Sequence, residues 1–268
     1  MYDLIVVGAG VVGSVLTSMA RLQGLNVLLV SEGQPSSAAA LAVLRRSWTQ
    51  RETDEALSWY ELNGGVRHGA TVSWAARPDV KWQDDWHLVD PKDVLLQPDL
   101  NASVRSFHGG GIVTASGAHE RATQVVVSKP VWSTDTPASY GATAVSRDVT
   151  LTGEGWLRVH WLRPYHAIMA AQTGGELRVG SSVSDSPVGA GLRVMQMVEQ
   201  LAAAGVISSR EGPWEVRHGS RHAVTLPVQQ PDGTILLGGF GRLGYTCAPA
   251  LAKQLLDLMA RDRADKGR

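Results

Sequence analysis

The residues best suited to chemistry lie at the start of the sequence. Gly8-Ala9-Gly10-Val11-Val12-Gly13 places glycine at the first, third and sixth positions of a six-residue run. Between an apolar strand and a helix, that spacing builds a cradle for the pyrophosphate of a dinucleotide. Gly8 permits the tight turn, Gly10 lets the backbone approach the phosphates, and Gly13 lets helix and strand pack closely. The helix that begins at Val11 and Val12 offers unpaired N–H groups and the positive end of its dipole. The competing reading is a helix–strand packing turn with no ligand. An acid at the end of the second strand should hold the ribose hydroxyls. The simplest register puts Ser31 there and Glu32 one place later. Either Glu32 reaches the ribose after a small adjustment, or Ser31 makes a weaker hydroxyl contact and Glu32 is a solvated loop acid.

These residues need a frame, and the flanking sequence supplies one. Leu4–Val7 is a short apolar run that reads as a buried parallel strand, Val11–Leu22 an apolar helix closed by Gly24, and Val27–Val30 a second buried strand. Strand, glycine turn, helix and strand open a doubly wound α/β sheet. Further on, helices are expected at Thr53–Leu62, Lys92–Gln97, Gly191–Ala204 and, after the glycine-rich turn Gly238–Gly244, Pro249–Arg261. Val66–Trp86 is strand-like. Strands are also expected at Gly111–Ser116, Gln124–Val127 and Thr234–Leu237. Antiparallel strands are expected within Val145–Val159 and at Leu177–Val179, with a turn at Thr173-Gly174-Gly175.

Composition narrows the classes. A length of 268 residues suits one large domain or two interleaved smaller ones, and a hydrophobic fraction of 44% can bury a core. The net charge is zero, which argues against a wholesale polyanion binder but not against a local basic patch. Arg45, Arg46 and Arg51 flank Trp48 in such a patch, with Arg67, His68, Arg77 and Lys81 nearby. It reads as a solvated face beside the Thr53 helix, and contact with a polyanion such as DNA is the functional alternative. Cys247 is the only cysteine, so no internal disulfide or thiolate zinc cluster can form. One thiol fits a reducing compartment, and a cytoplasmic location is expected. The start Met1-Tyr2-Asp3 lacks a signal-peptide pattern, and no apolar run reaches bilayer length, so no membrane partner is expected. No carboxylate cluster points to a metal, and no Ser-His-Asp spacing resembles a hydrolase elbow.

Several further segments resemble the D-amino-acid oxidase superfamily of flavoenzymes, and within it the glycine oxidase type. Ser37-Ala38-Ala39-Ala40 looks like the small-residue segment whose backbone borders the flavin ring. Asp84–Pro91 is similar to the segment before the next helix of the family's FAD domain. Val125-Val126-Val127, followed by Val131-Trp132-Ser133, is similar to the family's strand end, although Lys129-Pro130 replaces its usual small-Gly pair. Gly175–Gly180 resembles a strand that ends in glycine. Gly219-Ser220-Arg221 is similar to the G-L-R element. Gly239-Phe240-Gly241-Arg242-Leu243-Gly244-Tyr245-Thr246-Cys247-Ala248-Pro249 is similar to the final glycine turn and helix start.

The resemblance implies an α/β fold: a Rossmann-type FAD-binding domain and a reduced, mostly antiparallel substrate domain. It places residues 1–50, 84–135 and 208–268 in the former and 51–83 and 136–207 in the latter. It implies FAD as cofactor, with Gly239, Gly241, Arg242, Leu243, Gly244, Tyr245 and Thr246 presenting backbone donors to the flavin. Arg221 would clamp a substrate carboxylate, a task suited to a guanidinium fork. Arg242, Tyr165 and His166 would line the same site; a loop arginine and ordinary strand residues are their competing readings. His218 and His222 flank Arg221 and read as structural or exposed, and Cys247 as a packed thiol. The implied reaction passes a hydride from the Cα of glycine or an N-substituted glycine to flavin. The imine then hydrolyses to glyoxylate and an amine, and oxygen as acceptor gives hydrogen peroxide. Compact members of this type are associated with glycyl-modified thymidine in phage DNA, so DNA carrying a modified base is a second possible partner. A non-catalytic FAD-binding subunit and a nicotinamide-dependent dehydrogenase are the readings from other classes. Substrate, acceptor and oligomeric state stay open.

Overall fold

The computed structural model describes residues 1–33, 35–45, 50–75, 77–128, 139–163, 166–221, 227–237 and 244–266; at 36, 39, 74, 77–84, 163, 181, 220, 221 and 262–266 only the backbone is described. The chain opens with β1 (Tyr2–Val7), α1 (Val11–Leu22) and β2 (Val27–Ser31), then one 3-10 turn (Ser36–Ala39). Next come β3 (Val43–Arg45), α2 (Gln50–Asn63), β4 (Val66–Trp74), β5 (Arg77–Val89) and the single-turn α3 (Pro91–Val94). Then follow β6 (Leu100–Asn101), β7 (Val104–His108), β8 (Gly111–Thr114) and β9 (His119–Val127). The second half runs through β10 (Ser139–Ser146), β11 (Leu157–Arg163), β12 (His166–Thr173), β13 (Glu176–Ser184) and α4 (Pro187–Ala203). It closes with β14 (Glu215–Arg221), β15 (Val228–Gln229), β16 (Ile235–Leu236) and α5 (Gly244–Lys266).

Two sheets organise these elements. In the first, β16, β9, β1, β2 and β6 run parallel in that order, so the strand ends Val7, Val127, Ser31 and Leu236 gather along one edge. The strands are apolar on both faces, as a parallel sheet covered twice demands. Leu4, Val6 and Leu29 face α1, α2 and α5, while Ile5, Val7, Leu28 and Val30 face the antiparallel β7–β8 ribbon. Leu4, Val6 and Leu29 are fully buried, each worth about 1.5–3 kcal/mol of transfer free energy. The second sheet has the order β14-β10-β13-β12-β11-β4-β5-β3 and is antiparallel except between β4 and β11. Leu177 and Val179 of β13 pack with α4, and Leu157 and Val159 of β11 pack on the other face with Val72 and Trp86. Strands β3 and β14 and the end of β5 fall in stretches that the resemblance groups with the FAD-binding part, and the second sheet extends through them.

Element boundaries differ from the sequence expectation where capping or glycine intervenes. Helix α4 starts four residues before Gly191, because the Ser186 hydroxyl accepts from the Gly189 amide at 3.1 Å and Pro187 fills the first helical position. Strand density between 145 and 159 is broken from Arg147 to Trp156, where Gly153 and Gly155 adopt φ of 71° and 105°. Helix α5 starts at Gly244 and carries Pro249 inside it, so that proline does not open the helix. Pro249 has no N–H to give the Tyr245 carbonyl four residues earlier. The Tyr60 hydroxyl donates to that carbonyl instead, at 2.8 Å.

Candidate functional site

The glycine run sits where β1 ends and α1 begins, at the carboxyl edge of the parallel sheet. Gly8 has φ +108°, a conformation that side chains rarely adopt. A Cβ on Gly13 would lie 1.9 Å from the Gly8 carbonyl oxygen, so only glycine allows this approach of helix to strand. Ser128, the residue after β9, forms a third wall. Its Oγ donates to the Gly8 carbonyl at 2.9 Å, and a Cβ on Gly13 would come 2.8 Å from it. The N-cap Gly10 supplies no side chain to α1. The Val11 amide donates to Ser37 Oγ at 3.0 Å, and a Cβ on Gly10 would lie 3.3 Å from that oxygen. Val12 and Gly13 complete the first turn. The donor chemistry of this turn and the lack of a Cβ at Gly8, Gly10 and Gly13 fit a pyrophosphate.

Beyond the cradle, β2 ends at Ser31, which is half-buried and paired with Asn101 of β6. Glu32 follows it, exposed, and its carboxylate accepts a hydrogen bond from Ser103. The acid thus stands at the sheet's carboxyl edge, one place past the strand.

The segment from Ser37 to Ala40 lies over the N-terminus of α1 and is tied from three sides. Ser37 Oγ meets Val11. The Tyr245 hydroxyl donates to the Ser37 carbonyl at 3.1 Å. Arg178 Nη1 lies 3.4 Å from the Ala38 carbonyl and 3.2 Å from that of Ala40. Ala39 adds its backbone to the same turn. Gly244 starts α5 beside Val11, whose Cγ1 would lie 3.2 Å from a Cβ at Gly244, and Tyr245 and Thr246 follow, both buried. Burial pushes the Tyr245 hydroxyl far above its ordinary pKa, against the charge of Arg178, and it stays a neutral donor.

Arg178 belongs to a charged cluster that the sequence did not announce. The Glu176 carboxylate, 2% exposed, has Arg178 Nη2 at 3.3 Å, Arg147 Nη2 at 3.3 Å, Arg217 Nη1 at 3.4 Å and Lys92 Nζ at 3.6 Å. Burial raises its pKa, but the Arg217 hydrogen bond and the charges of Arg217, Lys92 and Arg178 outweigh that and bring it to about 2. Glu215 adds a second acid on Arg217, at 2.8 Å.

The remaining sequence candidates are spread around these elements. Arg221 ends β14, opposite Ser139 of β10, four residues beyond Arg217 on the same strand; only its backbone is described. Tyr165, Gly239, Gly241, Arg242, Leu243 and His222 lie outside the described residues, as do Lys129-Pro130 and Val131-Trp132-Ser133. His166 opens β12, half-buried and paired with Arg163. Strand alternation puts it with Ile168 and Ala170, which pack toward α4, and not with Met169 and Ala171 on the opposite face. His218 is exposed beside Gly191 of α4. Burial, helped by Glu52, pushes the Cys247 thiol up, so it is no activated nucleophile. Of the basic patch, Arg45 pairs with Asp85 at 3.3 Å and stacks over Trp86 at 4.4 Å, and Arg51 pairs with Glu55 at 3.5 Å. Arg46 and Trp48 lie outside the described residues. Among the described residues no group of three or more His, Cys, Asp or Glu could hold a metal ion, and no helix is long and apolar enough to cross a membrane.

Solved structures share this arrangement of two sheets. Glycine oxidase from Bacillus cereus superposes with a TM-score of 0.70 at 13% identity, over 98% of this chain and 96% of that one. Iminodiacetate oxidase from Chelativorans sp. BNC1 gives 0.66 at 16%, over 93% of each chain. Glycerol-3-phosphate dehydrogenase from Bacillus halodurans, solved with FAD, gives 0.63 at 12%, over 98% of this chain and 65% of that one. The chain therefore has the fold that the resemblance to D-amino-acid oxidases implied. No protein-family model and no curated protein matches the sequence.

Proposed function

We propose that this chain is an FAD-dependent oxidoreductase that acts on an amine or amino acid. The observation that carries the proposal is the cradle: Gly8 at φ +108° and a Gly13 that no side chain can replace, at the N-terminus of α1. The fold shared with glycine oxidase and iminodiacetate oxidase supports the amine or amino-acid class.

In this reading, Gly8, Gly10, Val11, Val12 and Gly13 hold the pyrophosphate. Glu32, exposed past the end of β2 with its carboxylate beside Ser103, takes the ribose, with the Ser31 hydroxyl as the alternative. Ser37, Ala38, Ala39 and Ala40 border the ring. Gly239, Gly241, Arg242, Leu243, Gly244, Tyr245 and Thr246 are proposed to give it backbone donors. The first sheet with α1, α2 and α5 forms the FAD-binding part, and the second sheet roofs the substrate. FAD supplies a two-electron acceptor. Arg221 would hold a substrate carboxylate so that the Cα–H faces that acceptor; Arg242 and Tyr165 are proposed to contact the same substrate, whereas His166 lies on the α4 face of its strand. Glycine or an N-substituted glycine fits one carboxylate and one amine. The resulting imine is hydrolysed to glyoxylate and an amine.

The test is the visible spectrum of the purified protein with FAD, followed without oxygen as glycine and then N-substituted glycines are added. Bleaching of the oxidised-flavin band near ~450 nm would establish amine oxidation and rank the substrates. A protein that binds no FAD overturns the proposal. A yellow protein that no small amine bleaches excludes free glycines, and DNA carrying a glycyl-modified base is the next substrate to add. Of the basic patch, Arg45 is paired with Asp85 and Arg51 with Glu55.

A further inference from the structure

The short segment after β2 has little packing of its own. Three alanines in a row, Ala38-Ala39-Ala40, offer only methyl groups, and its one turn of 3-10 helix is a weak element in isolation. Two residues later the backbone is strained: Ala42 has φ +53°, a left-handed conformation that costs a non-glycine residue about 1–2 kcal/mol. Such a conformation persists only where the surroundings over-determine it. Something must therefore hold the segment in place.

The holding group comes from the other sheet. Arg178 on β13 is 3% exposed and directs one guanidinium nitrogen at the carbonyls of Ala38 and Ala40, with its second on Glu176. A buried cation of this kind needs its countercharge fixed. Glu176 is fixed in turn by Arg217, Arg147 and Lys92. On the far side of the segment, Ser37 Oγ accepts from the Val11 amide, the first of α1, and the Ser37 carbonyl accepts from Tyr245. A continuous set of polar contacts thus runs from Glu176 to the helix N-terminus of the cradle. Without the fork of Arg178, the alanine segment has one tie fewer against its strain, and Ser37 is the side chain that leaves Val11.

We propose that Arg178, oriented by Glu176, is a positioning residue that clamps the Ser37–Ala40 segment onto the N-terminus of α1 and so pre-shapes the dinucleotide cradle. The consequence for cofactor affinity rests on the FAD reading above; the clamp itself does not. Arg178→Lys is the discriminating variant. It keeps the charge opposite Glu176 but loses the planar fork that serves both partners. An ordinary buried ion pair would tolerate it at this segment, whereas a clamp would not.

The measurement is amide hydrogen exchange on the full chain as purified, with FAD affinity titrated in parallel. Arg178→Lys is expected to speed exchange at Val11 and Ala40 at least tenfold and to weaken FAD at least tenfold, with the global fold retained by circular dichroism. Exchange unchanged within twofold at both amides overturns the proposal, whatever happens to FAD affinity. If the wild-type chain takes up no FAD, the functional reading fails by itself and the exchange comparison still decides the clamp. Should Arg178→Lys not fold, Glu176→Gln must reproduce the faster exchange at the same amides. Faster exchange spread evenly over the chain in that variant would mark the pair as merely structural and overturn the proposal.

Discussion

The Tyr60 hydroxyl donates to the carbonyl of Tyr245 at 2.8 Å, and that carbonyl is the one Pro249 leaves without a helical partner. Helix α2 therefore completes the backbone bonding of α5. Both tyrosines are buried, and burial raises the pKa of Tyr60, so its hydroxyl stays protonated at any working pH. Tyr60→Phe removes the donor and leaves a buried carbonyl unsatisfied. It is expected to cost about 1–3 kcal/mol, read as a lower urea midpoint with an unchanged slope. Because Tyr245 also ties Ser37, FAD affinity should fall with it.

Gly13→Ala tests the cradle. The added methyl would meet the Gly8 carbonyl at 1.9 Å, and backbone cannot give way as a flexible side chain can. Overpacking of this kind costs about 1–3 kcal/mol or more. FAD should bind at least tenfold more weakly, measured by titration against the visible band. Retained affinity would mean that the helix can back away from β1.

Arg221→Met should leave FAD bound but lower kcat/KM on a carboxylated amine by about tenfold to a hundredfold, the weight of a charge-assisted pair. Arg221→Lys should recover part of the loss. An equal loss on an amine that has no carboxylate would show that Arg221 supports the fold and does not clamp substrate.

Glu176 predicts an acid limb in stability. Its folded pKa of about 2 lies below the ordinary 4.5, because Arg217, Lys92 and Arg178 prevail over burial. For an acid with a depressed folded value, the stabilisation is complete above the unfolded value, shrinks below about pH 4.5 and is gone near about pH 2. The shift corresponds to stabilisation on the order of 3 kcal/mol. Glu176→Gln should be less stable at neutral pH and lose less on acidification, seen in thermal melts between about pH 6 and pH 2.

His160 should open a second, earlier limb. Burial lowers its pKa from the ordinary 6.5, and its Nδ1 is 2.9 Å from Ser73 Oγ. For a base held neutral, stability is full above 6.5 and declines as pH falls toward the folded value. His160→Gln should flatten the melt profile just below pH 6.5 while leaving the Glu176 limb intact.

The first βαβ unit was legible because its apolar runs end at glycines whose spacing has one mechanical use. The partners of those glycines were not. Ser37 meets Val11 across 26 positions, and Ser128 meets Gly8 across 120, and neither pairing leaves a local signal. Glu176-Leu177-Arg178-Val179 reads as polar–apolar alternation, the usual mark of a strand with one wet face. The structure buries the polar face as well, which only the arrival of the 37–40 segment and Arg217 explains. The start of α4 was carried by Ser186-Pro187, a cap signal that hydrophobic period alone overlooks. Pro249 misled in the other direction: it looks like a helix start until Tyr60 is placed beneath it.

Tyr245 reaches back 208 positions to Ser37, and the start of α5 rests against Val11. The cradle at the beginning of the chain is thus roofed by residues from its end. In synthesis the glycine turn precedes Gly244 and Tyr245, so it lacks that wall until they emerge. The glycine turn is accordingly completed only by contacts of high sequence separation, whose loop-closure cost delays them in folding.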